Sequence, residues 1–148
     1  TDINRLIHHI VAAMHDGIGL NRVVFCRYHE ESNILQGEVL KGAENDPVFN
    51  RFKITTHGSN LFTHLVNKQQ AVLINNTTRE KFWPLVPADF QKLINTNSFV
   101  AMSIFVKNKP YGLFYADRHT PSCQVEDRSY NYFKTLCTHA TKALEQIA

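Results

Sequence analysis

The chain has 148 residues, 43% of them hydrophobic and 20% charged, with a formal net charge of +3. That length buries roughly two-thirds of the unfolded surface without disulfides or metals, which predicts one soluble domain. The three cysteines, Cys26, Cys123 and Cys137, are widely spaced and form no CxxC pair, which excludes a disulfide framework and a zinc finger. No apolar run approaches the roughly 20 residues that cross a membrane, and the dispersed Lys and Arg make no stripe along a phosphate backbone, so neither membrane nor nucleic acid is an expected partner.

In chain order, Ile3, Leu6, Ile7, Ile10, Ala13 and Met14 fall at helical spacing, with Asp2 as N-cap and Gly17 as the stop. This helix lacks a basic leader region and a cleavage site, so it is no signal peptide and a cytoplasmic location is expected. Residues 21–28 (NRVVFCRY) and 33–41 (NILQGEVLK) read as two strands joined by a polar turn, with Gly37 marking a bulge or a close backbone contact. Asp46-Pro47 opens a turn or short helix, residues 52–55 form a short edge strand, and Ser59 caps a helix carrying Leu61, Phe62, Leu65 and Val66. Residues 71–74 (AVLI) are a buried strand.

A long excursion follows over residues 75–98, marked by Trp83-Pro84 and by Pro87 at the first position of a short helix. Residues 99–106 and 111–116 then form two central strands around a polar corner at Lys107-Asn108-Lys109-Pro110. Tyr130, Phe133, Leu136, Cys137, Ala140, Leu144 and Ile147 give a long terminal helix with one apolar face, Ser122 as its cap and Glu126 and Asp127 in the first turn. Helices at both ends with strands between them predict two helices side by side on one sheet face. A first residue of Thr, with helices reaching both ends, fits a piece of a longer polypeptide.

The element order, the hairpin FVAMSIFVKNKPYGLFYADR with Gly112 near the start of its second strand, and the preceding excursion resemble a GAF domain. Asn60-Leu61-Phe62, the MSIFV run at residues 102–106 and PYGLFYADR at residues 110–118 are similar to the GAF-like domain that accompanies HDOD modules in bacterial signal-transduction proteins. The resemblance implies an α+β fold with a central antiparallel sheet of five or six strands. The terminal helices would cover one face, and the long excursion with short helices would cover a small-molecule pocket on the other. It also implies a regulatory domain, often dimeric, joined to an effector domain.

The family's specialised chemistries find little support in the residues. Asn67-Lys68 and Asn108-Lys109 are not followed by the Phe-x-x-x-Asp-Glu of the cyclic-nucleotide binders, since Phe114 leads at that spacing to Arg118-His119. Cys137 and His139 are separated by Thr138, unlike the adjacent pair that attaches a bilin, and residues 75–98 hold none of the cysteines of a methionine sulfoxide reductase. A cysteine-based reductase would need Cys26 exposed with a lowered pKa, against its place in an apolar strand. The eight histidines show no i, i+4 pairing for a metal, and no GxSxG, HExxH or phosphate loop occurs, so no catalytic residue and no metal are assigned. Any cofactor is left open.

Strand alternation places Ala101, Ser103 and Phe105 on one face, opposite Val100, Met102 and Ile104, with Leu113 and Tyr115 opposed to Phe114 and Ala116. The set with Ser103 and Tyr115 is the more polar and suits a sensor pocket. Trp83 could close over a ligand, and Asn60, His64 and Asp117 could add polar contacts. Two functions remain open: a module that senses an unidentified small molecule, and a ligand-free dimerisation or scaffolding domain whose interior its own side chains fill. The empty volume beneath residues 75–98 separates them. Leu136, Ala143 and Ile147 lie to one side of the terminal helix and could face a homodimer partner.

Overall fold

The computed structural model describes residues 2–119 and 123–147. Its strands are β1 (Arg22–His29), β2 (Ile34–Lys41), β3 (Lys53–Thr55), β4 (Ala71–Ile74), β5 (Phe99–Val106) and β6 (Lys109–Asp117). They form one sheet in the order β3-β2-β1-β6-β5-β4, every pairing antiparallel. The central β1, β5 and β6 read as near-continuous apolar runs because both of their faces are covered.

One face carries α1 (Asp2–Ala12) and α5 (Asp127–Ile147). Ile7, Ile10 and Val11 of the first and Phe133, Cys137, Ala140 and Leu144 of the second pack on Val23, Phe25, Val100, Ile104, Phe114 and Ala116. The helical stripes and the strand parity therefore meet as their spacing predicts. The Ser122 cap lies outside the described residues. Ahead of α5, the Val125 N–H donates to Ser98 Oγ at 2.9 Å, and the Asn76 N–H donates to Gln124 Oε1 at 2.9 Å. The approach to α5 is thus bonded to both ends of the excursion.

The other face carries α2 (Leu61–Asn67), α3 (Arg79–Phe82), α4 (Ala88–Ile94) and two 3₁₀ turns, Phe49–Arg51 and Trp83–Leu85. Leu61, Phe62, Leu65, Val66, Phe90 and Ile94 point inward onto Leu35, Ile54, Phe99, Ala101, Leu113 and Tyr115. A short edge strand, β3, closes the sheet against Ile34, Leu35 and Gln36.

Several boundaries differ from expectation for identifiable reasons. The first helix does not stop at Gly17 but runs on as a π-helical turn, Ala13–Ile18, to Gly19, whose φ of 84° is the left-handed closure. The wider turn buries Met14 completely while Asp16 reaches Lys41 at 3.1 Å. Asn60, not Ser59, caps α2, its side chain accepting from the Thr63 N–H at 3.0 Å. Pro87 is the residue before α4 rather than its first residue. The polar corner of the hairpin tightens to two residues, Lys107 and Asn108, both at positive φ (53° and 66°), leaving Lys109 and Pro110 in β6. Two successive positive φ values match the right-handed twist of the flanking strands. Gly37 sits beside the register shift between Phe25 and Cys26, with Phe52 O 3.1 Å from where a Cβ would stand.

Gly112 is the tightest position in the sheet, since a Cβ there would lie 2.3 Å from Cys26 O and 2.8 Å from Phe25 Cζ. Neither the β1 backbone nor the buried ring can yield cheaply. Gly112→Ala is expected to cost on the order of 3 kcal/mol in urea unfolding. Gly17→Ala, where a Cβ meets nothing within 4 Å, is expected to add about 0.5 kcal/mol, because helical Gly loses more entropy on folding than Ala does.

Candidate functional site

The region between the sheet and the excursion is built on Tyr115. Its ring is ringed by Phe52 at 5.0 Å, Phe99 at 5.2 Å, Phe90 at 5.7 Å and Phe49 at 6.2 Å between centroids. Phe62 joins through Phe90 at 4.8 Å in an edge-to-face contact, the geometry that aromatic quadrupoles favour. All six rings are buried. The volume in which a sensor would hold a ligand is occupied by the chain's own side chains.

One charged pair lies within this aromatic interior. Arg22 Nε donates to Asp117 Oδ1 at 2.9 Å and Nη2 to Oδ2 at 2.7 Å, a bidentate pair in which both side chains are almost wholly buried. The guanidinium also donates to the Ile94 carbonyl at the end of α4 and lies 4.1 Å over the Phe49 ring. Tyr115 donates its hydroxyl hydrogen to Asp117 Oδ2 in a very short hydrogen bond, and the His119 N–H donates to Oδ1 at 2.8 Å. Each carboxylate oxygen therefore accepts twice. Burial would lower the Arg22 pKa, and the hydrogen bond and charge of Asp117 outweigh it, so the guanidinium is held above its ordinary value. Burial, with the Asp117 carboxylate beside it, pushes the Tyr115 phenol well above its usual range. The guanidinium and carboxylate charges of the cluster are thus paired with each other inside the aromatic interior.

The candidate residues occupy four different places. Tyr115 and Asp117 come together here. Ser103 shares their sheet face and is fully buried, but its hydroxyl oxygen accepts from the Gln70 N–H at 3.1 Å and serves the link into β4. Asn60 caps α2, and His64 is exposed on the outer side of that helix. Trp83 is half-buried and lines an open groove with Gln91, Lys92, Asn95, Thr96 and Asn97 on the outer side of α4. Sequence reasoning missed Arg22 and the plug formed by Phe49, Phe52, Phe62 and Phe90. The available signal was parity: Arg22 shares a strand face with Val24 and Cys26, so a charge there needs a buried partner.

Among the described residues no three His, Cys, Asp or Glu side chains are grouped to hold a metal, and no helix is long and apolar enough to cross a membrane. Cys26 and Cys137 are wholly buried, and burial pushes both thiols well above their usual range, so neither presents a thiolate nucleophile at neutral pH.

The family profile described as the GAF domain matches residues 2–144. A comparison with curated proteins gives no match. Among solved structures, a methyl-accepting chemotaxis protein fragment superposes with a TM-score of 0.73 at 19% identity, covering 98% of this chain and 90% of that one. A GAF domain/HD domain protein from Geobacter sulfurreducens gives 0.75 at 16%, covering 100% and 96%. The blue-light absorbing PixJ GAF domain of Thermosynechococcus elongatus gives 0.76 at 12%, covering 99% and 86%.

Removing one member of the ion pair leaves an uncompensated buried charge, so Arg22→Met or Asp117→Leu is expected to cost about 3–5 kcal/mol in chemical denaturation. The double replacement is expected to recover most of that loss, and additive single losses would show that the pair is not coupled. A second expectation concerns alkali. Folded-state pKa values of Tyr115, Cys26 and Cys137 stand above those of the unfolded chain, which therefore releases protons first. Stability should hold below about pH 8.5 and fall progressively as pH rises through the unfolded thiol and phenol values. The denaturation midpoint measured against pH checks this.

Proposed function

This chain belongs to the GAF domain family, and on that premise we propose that it is the regulatory module of a longer signal-transduction protein, working on an attached effector domain through α1 and α5. The observation that carries the reading is the contrast between the two faces of the sheet. The interior under the excursion is plugged by Phe49, Phe52, Phe62, Phe90, Phe99 and Tyr115, whereas the helix face leaves apolar groups uncovered at Tyr132 and Ile147, 53% and 44% exposed. With half-buried Leu136 and Ala143, these form one edge of α5 fitted to a second helix. Homodimerisation through that edge, in the cytoplasm and in company with an HDOD-type effector, is the arrangement we favour.

Sensing of a small molecule in the interior is the second reading, favoured by the Arg22–Asp117–Tyr115 set, the kind of polar group an apolar pocket uses to orient a ligand. A ligand there would have to displace Phe90 and break the Arg22 bond to the Ile94 carbonyl.

Native mass spectrometry of freshly purified protein separates the two readings. A dimer without adduct is expected, and a non-covalent adduct lost on denaturation would instead establish interior sensing. Sedimentation should show the dimer reduced to a 17.0 kDa monomer by Leu136→Glu combined with Ile147→Glu. A monomer in the unsubstituted protein at micromolar concentration would remove dimerisation from the proposal.

A further inference from the structure

The groove on the outer side of α4 is separate from the plugged interior, because Phe90 and Ile94 turn inward while Ala88, Gln91, Lys92 and Asn95 face the groove. We propose that this groove binds a neutral, hydroxyl-rich small molecule of monosaccharide size, with its apolar face on Trp83. The proposal does not depend on how α1 and α5 transmit a signal.

Three features of the wall set that chemistry. Primary amides dominate it, and an amide offers both donors and an acceptor, as a sugar hydroxyl requires. Gln91 Nε2 is committed to the Val86 carbonyl at 3.0 Å, which orients the side chain and leaves its oxygen for a ligand. Asn97 Oδ1 accepts from Gln124 Nε2 at 3.5 Å, which leaves its NH₂ group. Asn95 closes α4 in the left-handed conformation at φ 49°, its backbone N–H bonded to the Gln91 carbonyl, and its side chain has no hydrogen bond among the described residues.

The second feature is an unmet polar atom. Thr96 is 6% exposed and lines the groove, yet its hydroxyl has no hydrogen-bond partner among the described residues. A buried hydroxyl without a partner carries its full desolvation cost, which a ligand hydroxyl or a bridging water would offset. The third feature is charge. Lys92 is the one ionised side chain of this wall, and no carboxylate lines it. The ammonium repels a cation, and its three N–H donors suit the lone pairs of hydroxyl oxygens. A neutral polyol satisfies both, and its C–H face suits the half-buried indole.

Trp83 is the single tryptophan of the chain and lines this groove while packing against the aromatic interior, so its emission is read together with a signal from the sugar itself. The protein is titrated with glucose, galactose and N-acetylglucosamine, followed by tryptophan fluorescence and by saturation-transfer NMR of the sugar protons. One of them is expected to give a saturable change with a dissociation constant on the order of 1–10 mM, as befits a small ligand in an open groove. Asn95→Gly, which keeps the positive φ while removing the amide, and Lys92→Ala are each expected to weaken binding roughly fivefold, with the thermal midpoint as a check on folding. The proposal is overturned if no sugar gives a saturable signal, if both variants bind as the parent does, or if glucose 6-phosphate binds more tightly than glucose.

Discussion

Arg22 opens β1 and Asp117 closes β6, and the register sets them directly opposite each other in the middle of the sheet. Neither could enter so apolar a place alone, because an unpaired buried charge costs far more than this domain can spare. Together they do more than neutralise each other. The guanidinium reaches the last carbonyl of α4 and covers the Phe49 ring, while the carboxylate receives Tyr115 and the backbone after β6. Sheet, 3₁₀ turn and excursion are therefore specified relative to one another by one hydrogen-bonded pair. Apolar residues of equal volume would pack as well, so what the pair adds is a unique arrangement rather than strength.

The aromatic plug follows from that arrangement. With α4 held by its C-terminal carbonyl, Phe90 stands edge-on to Phe52, Phe62, Phe99 and Tyr115, and each ring is fixed by several others. Rings locked in this way do not leave singly, so any opening of the interior is a concerted motion of α4 and its flanking turn. Neighbours at 12–19% identity share the backbone, and a shared backbone leaves the use of the interior to the particular side chains that fill it.

Much of the fold was legible because its signals are local or periodic. The stripes of α1 and α5, the alternation in β5 and β6 and the polar turns each follow from short-range chemistry, and the parity that set Ser103 and Tyr115 against Phe114 and Ala116 describes the two cores. What escaped was tertiary. Arg22 and Asp117 are 95 residues apart in sequence, and nothing near either one names the other. Phe49 and Phe52 lie in a stretch whose 3₁₀ turn shows no period. The π-helical turn escaped because Gly17 is a valid local stop, and only the burial of Met14 and the reach of Asp16 to Lys41 of β2 carry the helix past it. Asn60 read as a polar contact because a cap and a binding residue draw on the same amide chemistry.

The bonds that join Val125 to Ser98 and Gln124 to Asn76 fix where the last helix begins. At 21 residues α5 is about 30 Å long. A tilt of about 5° about its bonded end would carry the far end through nearly 3 Å, roughly half a helical turn of travel. Val125, bonded to Ser98 and Asn75, and Gln124, bonded to Asn76 and Asn97, thus set the angle at which the helix leaves the sheet, and its length magnifies any change of that angle at the far end.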